Sequence, residues 1–175
     1  MGQWCVSDYP HAELIAPSLG SCVAVCLYDP VRRLAGMAHV VLPSRSQRSI
    51  PIEKQHDPYP CAKYADEAVL LLINEMSKRI GHSSLQLVSK LAGGAQMFKG
   101  AYQTSSDDLE AAHSKKGFPL IGKNNADVLK RELSRLNIPL KACDLGGNWG
   151  RTVIFVVQTG EVFIQRIGCS DRTLL

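Results

Sequence analysis

Six cysteines and five histidines occur in the 175-residue chain, and one of each stands where a nucleophile and its base can meet. A thiol is a strong nucleophile as its thiolate, a state favoured by a neighbouring imidazole and by well-placed backbone dipoles. Cys22 follows Gly20-Ser21 directly. That pair suits a tight backbone approach, and N–H groups exposed there suit the oxyanion of a tetrahedral intermediate. His39 is the candidate general base. Together these groups perform acyl transfer: attack on a carbonyl carbon, a covalent intermediate, then hydrolysis.

A hairpin must position them. Residues 22–28 form an apolar run rich in Val and Leu that stops at Asp29-Pro30, and residues 36–42 form a second run closed by Pro43. Two such runs across a short polar turn read as antiparallel strands. With the turn between Asp29 and Arg33, the residue opposite Cys22 falls at about 39 to 41, within one step of register. Side chains alternate, so Cys22, Ala24, Cys26 and Tyr28 share a face, as do Met37, His39 and Val41. Thiol and imidazole are expected on one side of the sheet. On the residues alone a packing reading competes, because a cysteine on an apolar strand is commonly buried filler.

The remaining elements frame the hairpin. Residues 14–19 read as a strand, with Pro17 marking an edge or an end. Residues 64–80 read as a helix with Ala65, Ala68, Val69, Leu72 and Met76 on one face and Gly81 at its C-terminal end. A strand at 85–91 runs into Gly93-Gly94-Ala95, and a second helix covers 124–136 with Val128, Leu129, Leu133 and Leu136 inward. The chain ends in strands at 140–144, 152–158 and 162–167. Polar stretches near 44–63 and 99–118 read as long loops. The expectation is one α+β domain spanning residues 1–175.

Composition narrows the function class. At 45% hydrophobic and 21% charged the chain is that of an ordinary globular protein. The net charge of +4 is dispersed over scattered Lys and Arg, which argues against nucleic acid as a partner. The longest apolar runs, 68–73 and 153–157, are far too short for a membrane span. No secretory leader is evident, and Val6 breaks a myristoylation motif beginning at Gly2. A cytoplasmic location without membrane insertion is expected, with free thiols. No C-x-x-C pair or zinc-ligand spacing occurs, so no metal is expected.

Several ordered motifs resemble the CheD family of chemoreceptor glutamine deamidases. They are Leu19-Gly20-Ser21-Cys22-Val23-Ala24-Val25-Cys26 and Gly36-Met37-Ala38-His39-Val40-Val41-Leu42-Pro43. Lys63-Tyr64-Ala65-Asp66 follows at the first helix, then Lys90-Leu91-Ala92-Gly93-Gly94-Ala95-Gln96-Met97-Phe98. Ile121-Gly122 precedes the second helix, and Asp144-Leu145-Gly146-Gly147-Asn148-Trp149-Gly150-Arg151 completes the series. The resemblance covers roughly residues 14 to 168 apart from the two polar loops.

The resemblance implies a layered α/β/β sandwich of mixed sheets with two main helices. It also implies a protein-glutamine glutaminase, a hydrolase of linear amides that converts receptor glutamines to glutamate and ammonia in chemotaxis. Cys22 is then the nucleophile and His39 the base, with no cofactor. Gly20, Ser21, Gly93 and Gly94 are candidates for oxyanion or substrate binding, although tight turns account for glycine pairs equally well. Implied partners are methyl-accepting chemotaxis receptors and CheC-type phosphatases of CheY. The chain departs from the family where a threonine commonly precedes the cysteine by six residues: Ala16 stands there, and alanine cannot orient an imidazole. Ser18, the nearest hydroxyl, is the candidate orienting group, with a backbone carbonyl as the other choice. Asn124 stands where the family often has arginine. Asn148 and Arg151 read as surface residues, and His11, His56, His82 and His113 as solvated. The alternative function is an adaptor with weak or absent catalysis that binds a CheC-type phosphatase or receptors. A transglutaminase would use the same pair.

Overall fold

The computed structural model describes residues 2–45, 61–82, 84–97 and 120–175. Most of the two expected polar loops lies outside the described residues, as do His56 and His113. Nine strands and two helices occur among the described residues: β1 (Trp4–Ser7), β2 (Glu13–Leu19), β3 (Val23–Asp29), β4 (Leu34–Val40), α1 (Ala65–Arg79), β5 (Val88–Gly93), α2 (Ile121–Arg135), β6 (Leu140–Leu145), β7 (Arg151–Val156), β8 (Val162–Arg166) and β9 (Arg172–Leu174).

The strands make two sheets. One has the order β1-β4-β3-β5-β6 and the other β2-β7-β8-β9. Only β5 and β6 pair in parallel, across the α2 crossover, so the first sheet is mixed. The second is antiparallel throughout. Pro17 lies on the edge strand β2, where its missing N–H costs no ladder bond.

Alternation along β3 and β4 divides the core into two layers. Val23, Val25, Leu27, Leu34, Ala38 and Val40 pack against α1 and α2. Ala24, Cys26, Tyr28, Ala35 and Met37 face the other way, onto Leu14, Ala16, Val153, Phe155 and Val162 of the second sheet. The central sheet is thus covered on both faces, and every residue of β3 is buried. The α/β/β layering matches the expectation.

Both helices end by the same device. In α1 the N–H of His82 reaches the Ser77 carbonyl at 2.8 Å and that of Gly81 reaches Lys78 at 3.3 Å, with Gly81 at φ 64. In α2 Ile138 reaches Leu133 at 2.9 Å and Asn137 reaches Ser134 at 3.1 Å, with Asn137 at φ 55. These are paired bonds around a left-handed residue that cannot continue the helix. The buried face of α1 is Ala65, Ala68, Val69, Leu72 and Met76, as its periodicity predicts.

Three differences from the sequence reading have physical causes. α2 begins at Ile121, not 124, because Gly122 joins the helix despite its low propensity. A Cβ there would collide with the backbone of Gly94, so glycine lets the helix start touch the end of β5. The strands β1 and β9 were not expected. Each is a sheet-edge strand of at most four residues, too short to show a period.

Candidate active site

The β3–β4 ladder pairs Val23 with Val40 and Ala24 with His39. One further step places Cys22 opposite Val41. Cys22 therefore shares with His39 the face turned to the second sheet, where it packs against the rim of that core. The two are diagonal neighbours, a relation with Cα atoms about 7–8 Å apart in an antiparallel pair. Both are half-buried. The structure brings the two expected residues to one place.

The backbone of His39 is held firmly by the segment entering β1. Its N–H donates to Gln3 at 2.9 Å, and its carbonyl accepts from Gly2 at 3.1 Å. The imidazole has more freedom: Nε2 is buried and has no hydrogen-bond partner among the described residues. Burial disfavours the charged form of each group, so it pushes the Cys22 thiol above its ordinary value and the His39 imidazolium below its own. Burial thus favours the neutral form of both groups.

The turn from β2 to β3 is pinned by its carbonyls. Gly20 accepts from the N–H of Ala95 at 2.8 Å, and Cys22 accepts from the N–H of Gly94 at 2.7 Å. Between them, Ser21 accepts from Nδ2 of Asn125 at 3.3 Å. The N–H groups of Gly20, Ser21 and Cys22 donate to no acceptor among the described residues. Three donors thus remain available beside the thiol.

The glycine pairs knit this region together. A Cβ at Gly93 would collide with the Cys22 carbonyl oxygen, and Gly93 holds φ 125. Gly146 donates to the Gly93 carbonyl at 2.9 Å, and Gln96 donates to Gly147 at 2.9 Å. Close backbone packing therefore accounts for Gly93, and the N–H of Gly94 is already committed to Cys22.

Arg151 requires a correction. The expected surface residue is fully buried. Its guanidinium donates to the Asp144 carbonyl at 2.7 Å and to the Gly146 carbonyl, and pairs with the Asp144 carboxylate at 2.9 Å. It is the internal brace of the late glycine segment, a task suited to a planar fork of donors. The exposed Trp149 indole lies near both Arg151 and Arg166, and the Arg166 guanidinium is 4.2 Å from a ring centroid.

Ala16, on the second sheet and paired there with Val153, is buried between the two sheets. Ser18 is exposed at φ 56, beyond the register shift that follows Ala16. Asn124, Asn148, His11 and His82 are exposed.

Asn125 is the residue that sequence reasoning missed. It is fully buried on α2. The available signal was its position: it falls on the inward stripe with Val128, Leu129 and Leu133, where a polar side chain must find partners.

A cavity of ≈ 560 Å³ opens on the α2 side of the turn, bounded by Ser21, Gly94, Met97, Leu120, Lys123 and Gly146. Cys22 and His39 do not line it. Among the described residues no cluster of His, Cys, Asp or Glu is able to hold a metal ion, and no helix is long and apolar enough to cross a membrane.

Comparison with known proteins agrees with the ordered motifs. The sequence model of the family described as CheD chemotactic sensory transduction matches residues 41–166. The chain is 40% identical over 167 residues to a protein of Desulforamulus reducens, covering 93% of this chain and 89% of that one. It is 40% identical over 168 residues to one of Moorella thermoacetica, covering 96% and 89%. With one of Syntrophomonas wolfei it shares 38% over 162 residues, covering 93% and 88%. All three bear the name "Probable chemoreceptor glutamine deamidase CheD". The family model begins just after His39, but matches spanning over nine-tenths of the chain take in Cys22 and His39 as well. The chain belongs to the CheD family.

Proposed function

We propose that this protein is a chemoreceptor glutamine deamidase in which Cys22 is the nucleophile and His39 the general base. The whole chain would act as one domain, consistent with two core layers that share the central sheet. The observation that carries the reading is the β3–β4 register, which puts thiol and imidazole on one face beside a turn with unengaged N–H groups.

The chemistry follows from those positions. Cys22 Sγ attacks the carbon of a glutamine carboxamide while His39 takes the thiol proton. The carbonyl oxygen becomes an oxyanion, and N–H groups of the 20–22 turn stabilise it. Collapse breaks the C–N bond. His39 returns its proton to the departing ammonia, leaving a thioester on Cys22. His39 then takes a proton from water as the water attacks the thioester, and a second collapse releases glutamate and the thiol. The proton that leaves on ammonia is replaced by one from water, which His39 passes to the departing thiolate, so the dyad is restored and no step calls for a metal or an organic cofactor.

Substrates of this class are receptor helices bearing exposed glutamines, and the names of the relatives support receptors as partners. His39 needs an orienting partner. Ser18 stays a candidate as the nearest hydroxyl to the thiol on β2, a backbone carbonyl being the other. An unchanged rate in Ser18→Ala eliminates the serine. The test of the whole reading is mass spectrometry of a receptor signalling fragment incubated with enzyme. Wild type should shift glutamine peptides by the amide-to-acid mass step, and Cys22→Ala should not; a shift by both variants contradicts it.

A second reading, an adaptor that binds a CheC-type phosphatase with little catalysis, draws on Ala16 and on the partnerless Nε2 of His39. It predicts full phosphatase binding by wild type together with no deamidation of receptors.

A further inference from the structure

We infer that Asn125 is a positioning residue for the reaction, one that sets the direction of the Cys22 N–H toward the developing oxyanion. The inference rests on the Cys22–His39 reading above and adds a residue to it.

The side-chain amide of Asn125 bridges two backbone carbonyls from different parts of the site. Nδ2 donates to Ser21, immediately before the nucleophile, at 3.3 Å, and to Val41, two residues beyond the base, at 3.0 Å. Both partners are acceptors, so the amide orientation is forced: the oxygen cannot face either carbonyl. Oδ1 is left buried without a partner. An unmet acceptor of this kind costs roughly 1–3 kcal/mol. A leucine on this inward stripe would avoid that cost but would leave the Ser21 and Val41 carbonyls without their donor, so one reason for an asparagine is to satisfy them.

The geometry of the peptide group supplies another reason. The carbonyl of Ser21 and the N–H of Cys22 belong to one planar trans unit and point in opposite directions. Drawing the carbonyl toward α2 turns the Cys22 N–H away from α2. The Cys22 side chain leaves on that opposite side, toward the second sheet. Ala95 does the same for the preceding unit by holding the Gly20 carbonyl at 2.8 Å. A backbone amide holds Gly20, and Gly94 holds Cys22; the central unit alone depends on a side chain. Asn125 also fixes that unit relative to the end of β4, which carries His39.

The experiment compares wild type, Asn125→Asp and Asn125→Ser in two reactions. Asn125→Asp keeps the shape and removes the donor, and Asn125→Ser removes the reach. Deamidation of a receptor fragment needs the oxyanion. Alkylation of Cys22 by iodoacetamide, followed on the Cys22 peptide, needs the thiol and its surroundings but forms no oxyanion. The expected result is a kcat lowered by about 10-fold to 100-fold with KM unchanged, while the rate and pH profile of alkylation stay at wild-type values.

Unchanged kcat in both variants overturns the inference, and so does a parallel fall in deamidation and alkylation. Failure of both variants to fold overturns it too, since Asn125 would then serve the fold alone. Cys22→Ala is run alongside. If it still deamidates, the Cys22 reading fails and this inference with it. If it is inactive while the Asn125 variants are fully active, the inference about Asn125 fails by itself.

Discussion

Gly94 donates its N–H to the carbonyl of Cys22 at 2.7 Å, so the glycine segment after β5 holds Cys22 by its backbone. Its neighbour Gly93, paired with Val23, is the point of closest approach. Gly93→Ala places a methyl group against the Cys22 carbonyl at a φ that L-residues rarely adopt. The expected loss of stability is about 3 kcal/mol, read from urea unfolding, with deamidation abolished. A variant as stable and active as wild type would show that this contact does not hold the turn.

Arg151 braces residues 144–146 from inside the protein. Arg151→Met leaves the carbonyls of Asp144 and Gly146 without their donor, and is expected to cost about 2–4 kcal/mol. Arg151→Lys should recover little, because a single ammonium cannot reproduce the fork. Thermal and urea unfolding of both variants check this; rescue by lysine would mean that charge alone suffices.

The pH dependence follows from burial. In its proposed role as base His39 must be neutral, and burial pushes its pKa below the ordinary value of 6.5. The acid limb of kcat/KM should therefore have its midpoint below 6.5, with the base fully available at neutral pH. The same shift links to stability. The unfolded chain binds a proton more readily at this site, so the contribution of His39 to stability is present above about 6.5 and is lost as pH falls through the folded value. His39→Gln should flatten that part of the stability profile. A midpoint above 6.5 would contradict a desolvated imidazole.

The thiols should separate by environment. Cys5, Cys143 and Cys169 are exposed, whereas Cys26 is buried and its thiol is pushed up to about 12. Native-state alkylation mapped by peptide mass should mark the three exposed thiols and leave Cys26 untouched at neutral pH. Labelling of Cys26 at the rate of Cys143 would mean that the inter-sheet core opens.

Much of this site was legible in the sequence because its elements are strongly patterned. The apolar runs ending at Asp29-Pro30 and Pro43 fixed a hairpin, and period-2 alternation then put Cys22 and His39 on one face. The inward stripe of α1 was equally plain, since every third or fourth residue is apolar. Asn125 and Arg151 were not legible. Both are polar residues buried by tertiary contacts, and composition reads such residues as surface. Their partners are backbone carbonyls 84 and 104 positions away for Asn125, which no local pattern records. For Gly93 and Gly94, the glycine pair was visible as a turn signal, but its close approach to the Cys22 carbonyl was not. The edge strands β1 and β9 are held by pairing to neighbours rather than by their own periodicity.

The central claim is that the sulfur of Cys22 becomes acylated by a glutamine side chain. The most direct measurement is intact-protein mass spectrometry of an acid-quenched mixture of enzyme and a glutamine-containing receptor peptide, with the adduct mapped by digestion. The predicted species has the mass of enzyme plus peptide less one ammonia, carries its modification on Cys22, and is absent from Cys22→Ala. Steady deamidation with no such adduct on Cys22, or with the adduct on another cysteine, would contradict the account.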